Sequence, residues 1–281
     1  MNWGEIFKAF LFGVVEGITE WLPISSTGHM ILLDEFVTLK MSEEFMEMFF
    51  VVIQLGAILA VVWLYWKKLF PFSFKREFHV KISILQMWFK IIFACLPAAI
   101  VGLLFDDQLN AWFYNYQTVS IMLILFGILF IIIENSNHGK RPQITKLSQI
   151  TYKTAFLIGL FQLIAAVFPG TSRSGATIIG GLLIGMSRTV AAEFTFFLAV
   201  PVMFGASVLK LIKFGLAFES DEIAILLVGV ITSFVVSVIA IKFLMGYIKR
   251  NDFKPFGWYR IVLGILVLGY FGIQTIFGTP A

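Results

Sequence analysis

The sequence predicts an all-α integral membrane protein with six transmembrane helices and two re-entrant helical hairpins related as an inverted-topology repeat. Hydrophobic residues make up 59% of the 281 positions and charged residues only 14%, whereas a soluble domain carries more charge. Several apolar runs approach the roughly 20 helical residues that cross a bilayer core. One polar segment also occurs twice, each time in apolar surroundings where charged groups are costly.

Six apolar runs are predicted to cross the membrane within a single domain, residues 1–281. In chain order they are Met46–Trp66, Ile91–Phe105 (extended backward by Ile82–Phe89), Val119–Ile133, Phe194–Phe214, Ile223–Gly246 and Trp258–Phe277. Two further runs are interrupted at Pro23 and Pro169, and their arms are short for a full crossing. A broken helix persists at membrane depth where it is buried in protein or lines a polar cavity, so we expect two re-entrant hairpins.

The two interrupted runs carry the same polar pattern at an offset of 146 residues, from Pro23 to Pro169. The first copy reads Gly13, Glu16, Glu20, Pro23 and Ser25-Ser26-Thr27, and the second reads Gly159, Gln162, Ala166, Pro169 and Thr171-Ser172-Arg173. This alignment places Arg173 opposite Thr27. A duplicated polar break predicts two halves, about 1–133 and 134–281, which meet at a shared site.

Loop charges predict the orientation of the chain. The loops 67–90, 134–153 and 247–257 are basic, whereas 106–117 and 215–222 carry acids and no base. Basic loops remain in the cytoplasm. Six crossings agree with this alternation only if each hairpin returns to its starting side. We therefore expect both termini outside, hairpins that enter from opposite faces, and breaks that meet near the midplane.

Two carboxylates in the first copy are candidate metal ligands. Glu16 and Glu20 are four residues apart and share one face of a helix. Two carboxylates in an apolar medium repel each other, and a divalent cation with hard oxygen ligands, Mg²⁺ or Ca²⁺, would relieve that repulsion. The alternative is an exposed pair of glutamates near a helix end.

Three hydroxyls, Ser25, Ser26 and Thr27, follow Pro23 and precede a helical run. One of them is expected to cap the helix, and clustered hydroxyls at a helix N-terminus also suit an anion. Ser26 and His29 are three residues apart, and a hydroxyl beside an imidazole is the simplest activated nucleophile. A purely structural histidine is the alternative.

The second copy is cationic where the first is acidic. Arg173 stands among hydroxyls and glycines, and its planar fork suits phosphate oxygens. The alternative is a structural salt bridge from Arg173 to Glu16 or Glu20. A metal, an arginine and helix N-termini together suit a diphosphate, because phosphoryl transfer depends mainly on charge stabilisation and positioning.

At these residues the chain resembles the undecaprenyl-diphosphate phosphatase family, also called the bacitracin-resistance proteins. The matching motifs are Glu16-Gly17-Ile18-Thr19-Glu20, Pro23 through His29, and Pro169 through Thr177. The resemblance implies cation-dependent hydrolysis of the terminal phosphate of undecaprenyl diphosphate, which recycles the lipid carrier for cell-wall synthesis and confers bacitracin resistance. It also implies the bacterial inner membrane and a site open to its outer face.

The resemblance further implies roles for particular residues. Glu16 and Glu20 are expected to serve as metal and acid–base groups, and Ser26, His29 and Arg173 as catalytic groups. Phosphate contacts are expected from Ser25, Thr27, Ser172, Ser174 and Thr177. In one mechanism Ser26 attacks phosphorus and His29 takes its proton, and in the other His29 is the nucleophile. The sequence does not separate these two mechanisms.

A transporter is the rival class, because inverted repeats with broken helices are typical of transporters. A lipid-phosphate flippase or an anion carrier would bind with the same groups without cleaving, whereas Ser26 beside His29 favours an enzyme. The expected partners are a polyprenyl diphosphate lipid and the bilayer, and the sequence leaves a homodimer open. The basic residues collect in loops, so no nucleic-acid partner is expected.

Overall fold

A computed structural model describes residues 3–73, 79–215 and 218–277. Within these residues the chain forms twelve α-helices, numbered in chain order. Their bounds are α1 Trp3–Thr19, α2 Ser26–Phe36, α3 Glu43–Val52, α4 Gln54–Leu64, α5 Trp66–Leu69, α6 Ile82–Phe113, α7 Tyr116–Asn137, α8 Tyr152–Val167, α9 Arg173–Leu183, α10 Arg188–Phe214, α11 Ser220–Tyr247 and α12 Lys254–Phe277. A short antiparallel ribbon, β1 Phe72–Ser73 with β2 His79–Val80, lies in the first basic loop.

The six predicted crossings are confirmed, because six helical segments of the described residues are long and apolar enough to span a bilayer. They are Glu43–Leu64, Ile82–Phe105, Tyr116–Asn137, Arg188–Phe214, Ser220–Tyr247 and Lys254–Ile276. The first of them consists of α3 and α4, which are separated by a turn at Ile53.

The predicted loop over 106–117 is wrong for most of its length, because α6 continues to Phe113. Good helix formers such as Gln108, Leu109 and Ala111 extend α6 beyond its apolar part. The new helix then begins at once, since the Asn115 side chain caps α7 by accepting a hydrogen bond from the Thr118 amide at 2.9 Å. The two acids of the predicted loop therefore lie in α6, and only Tyr114 and Asn115 connect α6 to α7.

Both interrupted runs form two helices with a non-helical break, as predicted. We call α1 with α2 the first hairpin and α8 with α9 the second hairpin. The start of α1 is bonded to the segment after α2, where Lys8 Nζ donates to the Thr38 carbonyl at 2.7 Å and the Lys40 amide donates to Glu5 at 2.9 Å. The segment that follows α2 therefore lies beside the start of α1.

The second hairpin closes in the same way. The amides of Gln143 and Ile144, which precede α8, donate to the Gly185 carbonyl beyond α9 at 2.8 and 3.1 Å. The Ser187 amide donates in turn to the Ile144 carbonyl at 2.8 Å. The two hairpins thus share one construction, with a closed base and a polar tip.

Helices from one half of the chain pack against helices of the other half. The first helix of each hairpin packs against a long helix of the other half, α1 against α11 and α8 against α6. Glycines allow this closeness: a Cβ atom at Gly13 would lie 2.7 Å from the Gly229 carbonyl oxygen, and one at Gly159 would lie 2.2 Å from that of Ala94. Small residues at helix interfaces give such close backbone approach in membranes.

Candidate active site

A serine with an unusual backbone conformation caps the second helix of each hairpin. Ser25 and Ser172 have φ of 74° and 68°, and they are the only described non-glycine residues with positive φ. Each side chain accepts from the amide of a glycine three residues later, Gly28 at 3.4 Å and Gly175 at 3.1 Å. Backbone strain of this kind collects at functional sites.

These caps correct the predicted alignment of the two copies. Ser25 and Ser172 are equivalent caps, so Arg173 occupies the position of Ser26, and its predicted match to Thr27 is wrong. The second tip contains one additional residue after its proline and turns at Gly170, whose φ is 88°. The constant offset therefore holds before the prolines and increases by one residue beyond them.

Glu20 joins the two hairpins. Its Oε2 atom accepts from Ser26 Oγ at 2.9 Å, and its Oε1 atom accepts from Arg173 Nη2 at 2.7 Å. Ser174 Oγ also donates to the Glu20 carbonyl at 3.0 Å. The nucleophile candidate of one tip and the guanidinium of the other therefore meet on a single carboxylate.

Glu16 lies one helical turn before Glu20 and is 1% exposed. Its Oε1 atom has no hydrogen-bond partner among the described residues, although buried carboxylates are costly unless paired or bound to a cation. The described part of the chain contains no group of three or more acidic, histidine or cysteine residues that would hold a metal. A cation here would therefore need further ligands from water or substrate.

The expected phosphate-contact residues surround the two tips. Ser172 Oγ lies 3.1 Å from Ser174 Oγ. Thr177 belongs to a buried network, in which its hydroxyl donates to the Arg173 carbonyl at 2.9 Å and lies 2.8 Å from Thr195 Oγ1. Thr27 is partly exposed on the first turn of α2. Ser172 and Ser174 thus lie on either side of Arg173 in the chain, whereas the Thr177 hydroxyl is engaged in hydrogen bonds within α9 and to α10.

Both ring nitrogens of His29 contact groups other than the Ser26 hydroxyl, which the sequence placed beside His29. Its Nδ1 atom lies 2.7 Å from the Ser25 carbonyl oxygen, and its Nε2 atom lies 2.7 Å from the Tyr259 hydroxyl. A carbonyl only accepts, so Nδ1 carries a proton, and in the neutral ring Nε2 accepts from the tyrosine. The partner of Ser26 is therefore Glu20 rather than His29.

Two consecutive residues of α12, Tyr259 and Arg260, complete the site, and neither is among the site residues predicted from the sequence. Tyr259 bonds to His29, as described above. Arg260 is 0% exposed, and its guanidinium donates to the carbonyls of Pro23 at 3.3 Å, Gly170 at 3.0 Å and Thr171 at 2.7 Å. The signal in the sequence was an arginine inside a predicted membrane crossing, since intramembrane charges are functional by default.

Further buried polar atoms near the tips have no hydrogen-bond partner among the described residues. They are the Trp21 Nε1 atom, the Thr171 Oγ1 atom, the Arg260 Nε atom and both amide atoms of Gln162. Gln162 is 2% exposed and occupies in the second hairpin the position of Glu16 in the first. Unsatisfied polar groups are uncommon in native proteins, so their concentration here is typical of a site that receives a polar ligand or water.

The fold and the site together define a multi-pass α-helical membrane protein with a buried polar site between two broken-helix hairpins. Residues 9–266 match the family model described as bacitracin resistance protein BacA. The match covers most of the chain, and this protein belongs to that family.

Curated relatives give the same result at high identity. The chain is 73% identical to an undecaprenyl-diphosphatase of Desulfitobacterium hafniense. The match extends over 274 residues, which are 98% of this chain and 99% of the relative. It is 68% identical to undecaprenyl-diphosphatase 1 of Clostridium acetobutylicum, over 95% of this chain and 97% of the relative. An undecaprenyl-diphosphatase of Enterococcus faecalis is 61% identical over 94% and 96% of the two chains.

Proposed function

We propose that this protein is a membrane phosphatase that hydrolyses undecaprenyl diphosphate to undecaprenyl phosphate and inorganic phosphate. The reaction recycles the lipid carrier for cell-wall synthesis and confers bacitracin resistance. One observation carries the proposal: Glu20 holds the Ser26 hydroxyl and the Arg173 guanidinium on the two oxygens of one carboxylate. A hydroxyl bonded to a base and placed beside a phosphate-binding cation is what phosphoryl transfer requires.

In the mechanism that the geometry favours, Ser26 Oγ attacks the terminal phosphorus. The bond from that phosphorus to the bridging oxygen breaks, the lipid monophosphate leaves, and the Ser26 proton passes to Glu20. Arg173 donors stabilise the equatorial oxygens. Water then hydrolyses the phosphoserine, inorganic phosphate leaves, and the serine hydroxyl is restored. His29 holds the strained Ser25 turn through the Ser25 carbonyl instead of taking the first proton.

A divalent cation fits the residues present. Glu16 offers an unpartnered buried oxygen, and each Glu20 oxygen accepts one hydrogen bond, from Ser26 or Arg173, and keeps a further lone pair. Two carboxylates completed by water and substrate phosphate suit Mg²⁺, which keeps several waters and binds through one or two carboxylates, better than Ca²⁺, which takes six to eight oxygen ligands. When bound, the cation would neutralise charge on the diphosphate oxygens.

The proposal includes an orientation, with the two hairpins as an inverted repeat that enters from opposite faces and with the site open to the outer face. The closed hairpin bases, the loop charges and the exchanged packing of α1 and α8 support it. Cysteines placed at exposed positions of loop 134–153 and of residues 37–42, followed by labelling of intact cells, test it. We expect labelling at 37–42 alone.

Phosphate release measures the proposed activity directly. Purified protein in micelles should release phosphate from a polyprenyl diphosphate, and EDTA should abolish the release. Acid-quenched enzyme labelled from terminally labelled substrate then identifies the nucleophile. An acid-stable phosphoester supports Ser26, whereas an acid-labile, base-stable adduct would assign the attack to His29.

The exchange of helices between the halves also favours a second candidate, a lipid-phosphate flippase or anion carrier. A carrier would bind the lipid, release no phosphate and move the lipid across proteoliposomes. Cation-dependent release that Ser26→Ala abolishes would exclude a pure carrier. A homodimer is a separate possibility, and a mass measurement in detergent tests for it.

A further inference from the structure

The Arg260 guanidinium lies at the junction of the two hairpin tips. It donates to the Pro23 carbonyl of the first tip and to the Gly170 and Thr171 carbonyls of the second. A fourth contact, 3.5 Å long, reaches the Met122 carbonyl in α7. One side chain of α12 therefore bonds to both breaks and to the helix beside them.

These contacts distinguish Arg260 from an ordinary buried arginine. Arg188 is bonded to Glu134 through three contacts between 2.5 and 3.2 Å. Arg260, by contrast, has no carboxylate within ion-pairing distance in the part of the chain that the structure describes. An unpaired buried charge costs free energy. The carbonyls of the two tips that the guanidinium binds account for its position.

The fork geometry of arginine is what this position needs. A guanidinium presents several N–H donors in fixed directions, whereas a lysine ammonium is a compact point charge. The tip carbonyls that Arg260 binds belong to residues one or two positions before the serine caps. The distance between these carbonyls therefore sets the distance between Ser26 and Arg173, which directly follow the caps.

We infer that Arg260 is a positioning residue, which ties the two tips together and so holds Ser26 and Arg173 on the Glu20 carboxylate. This inference rests on the proposed phosphatase function for its kinetic consequence but not for its structural one. A misplacement of about 1 Å in a site of this kind costs roughly 100-fold in rate. Arg260 acts through the backbone of the tips, so its loss should reduce kcat more than it changes KM.

The experiment compares Arg260→Gln and Arg260→Lys with Arg188→Gln, which removes a guanidinium that lies away from the tips. For both Arg260 variants we expect kcat per folded molecule to fall about 100-fold with KM within about threefold, and lysine should not rescue the loss. Arg188→Gln should lose stability at unchanged kcat. Arg260 variants that behave like Arg188→Gln, or that raise KM alone, would overturn the inference.

Hydrogen exchange tests the tie without any activity measurement. Amides of residues 24–28 and 170–175 should exchange at least tenfold faster in Arg260→Gln and remain unchanged in Arg188→Gln. Unchanged exchange at the tips would overturn the positioning role even if the protein proved to be a carrier. If the unmodified protein released no phosphate but the tip amides still exchanged faster in Arg260→Gln, the proposed phosphatase function would be refuted. The positioning role of Arg260 would then still hold.

Gly175→Ala provides a second variant in case the Arg260 substitutions fail to fold. The added methyl group would lie 2.8 Å from Arg260 Nη1 and would displace the guanidinium, whereas alanine itself favours the helix. We expect kcat to fall about tenfold with no loss of thermal stability. Gly28→Ala is the matched change in the first hairpin, where the nearest atom is Leu123 Cδ1 at 3.1 Å. Equal kcat values for these two variants would contradict the inference.

Discussion

The two hairpins share one backbone construction but differ in burial and charge. In the second hairpin every residue from Ser174 to Leu182 of α9 is buried, whereas only Gly28 and Met30 of α2 are buried in the first. Towards its tip the first carries Glu16 and Glu20, and the second carries Gln162 and Arg173. The comparison indicates that α9 is a closely packed support for Arg173, whereas α2, which carries Ser26 and His29, is the more accessible helix.

The largest expected effect tests the nucleophile of the accessible hairpin. Ser26→Ala should lower kcat by roughly 10⁴-fold or more, because the attacking oxygen is removed. Phosphate release per folded molecule measures it. Ser207→Ala is the control, since Ser207 is a buried hydroxyl that donates to the Val51 carbonyl away from the site. A loss of less than tenfold in Ser26→Ala would transfer the attack to another group.

The next effect tests the carboxylate that joins the hairpins. Glu20→Gln should lower kcat by about 10³-fold because Ser26 loses its base. It should also destabilise the fold by about 3 kcal/mol, since Arg173 is left buried without its ion pair. Activity and thermal unfolding are measured together. Glu5→Gln, at the base of the same hairpin, should lower stability alone, and a similar loss of kcat there would refute a special role for Glu20.

Tyr259→Phe should have an intermediate effect. Loss of the hydroxyl leaves His29 Nε2 without its partner, so His29 and the Ser25 turn become less well fixed, and we expect kcat to fall about tenfold. Tyr270→Phe is the control on the same helix, because its hydroxyl donates to Glu35 away from the tips. Equal activities for the two variants would mean that Tyr259 does not support the site.

The smallest effect concerns the second hairpin's counterpart of Glu16. Gln162→Leu replaces a buried amide that has no hydrogen-bond partner among the described residues with an apolar side chain of similar size. We expect the free energy of unfolding to rise by about 1 kcal/mol and kcat to remain within about threefold. A loss of kcat above tenfold would show that the second hairpin contributes more than its arginine.

The sequence predicted the crossings well because hydropathy depends on neighbouring residues in the chain. Val119–Ile133, for example, lies inside the helix Tyr116–Asn137. Residues in the two polar breaks were also recognised, because charged and hydroxyl side chains are conspicuous in apolar runs. The polar stretch after Phe105 was assigned to a loop because polarity alone does not reveal that α6 continues as a helix.

Contacts between distant parts of the chain were predicted less well. The match of Arg173 to Thr27 failed because one extra residue after Pro169 changes the register, and only the serine caps reveal the change. The sequence placed Ser26 beside His29 as its base, but the spacing of two residues on a helix does not fix the directions of their side chains, and Ser26 bonds to Glu20 instead. Arg260 is 237 residues from Pro23, and no local pattern predicts a bond across that separation.

The equivalent positions of Ser26 and Arg173 bear on how such a site arises. Two identical hairpins that met in this way, as in a symmetric pair of separate chains, would set serine against serine and acid against acid. Fusion into one polypeptide frees each copy to change alone, so that opposite charges can face each other across the junction. The additional residue at Gly170 is one such difference between the copies, and the opposite charges of the two tips depend on the copies not being identical.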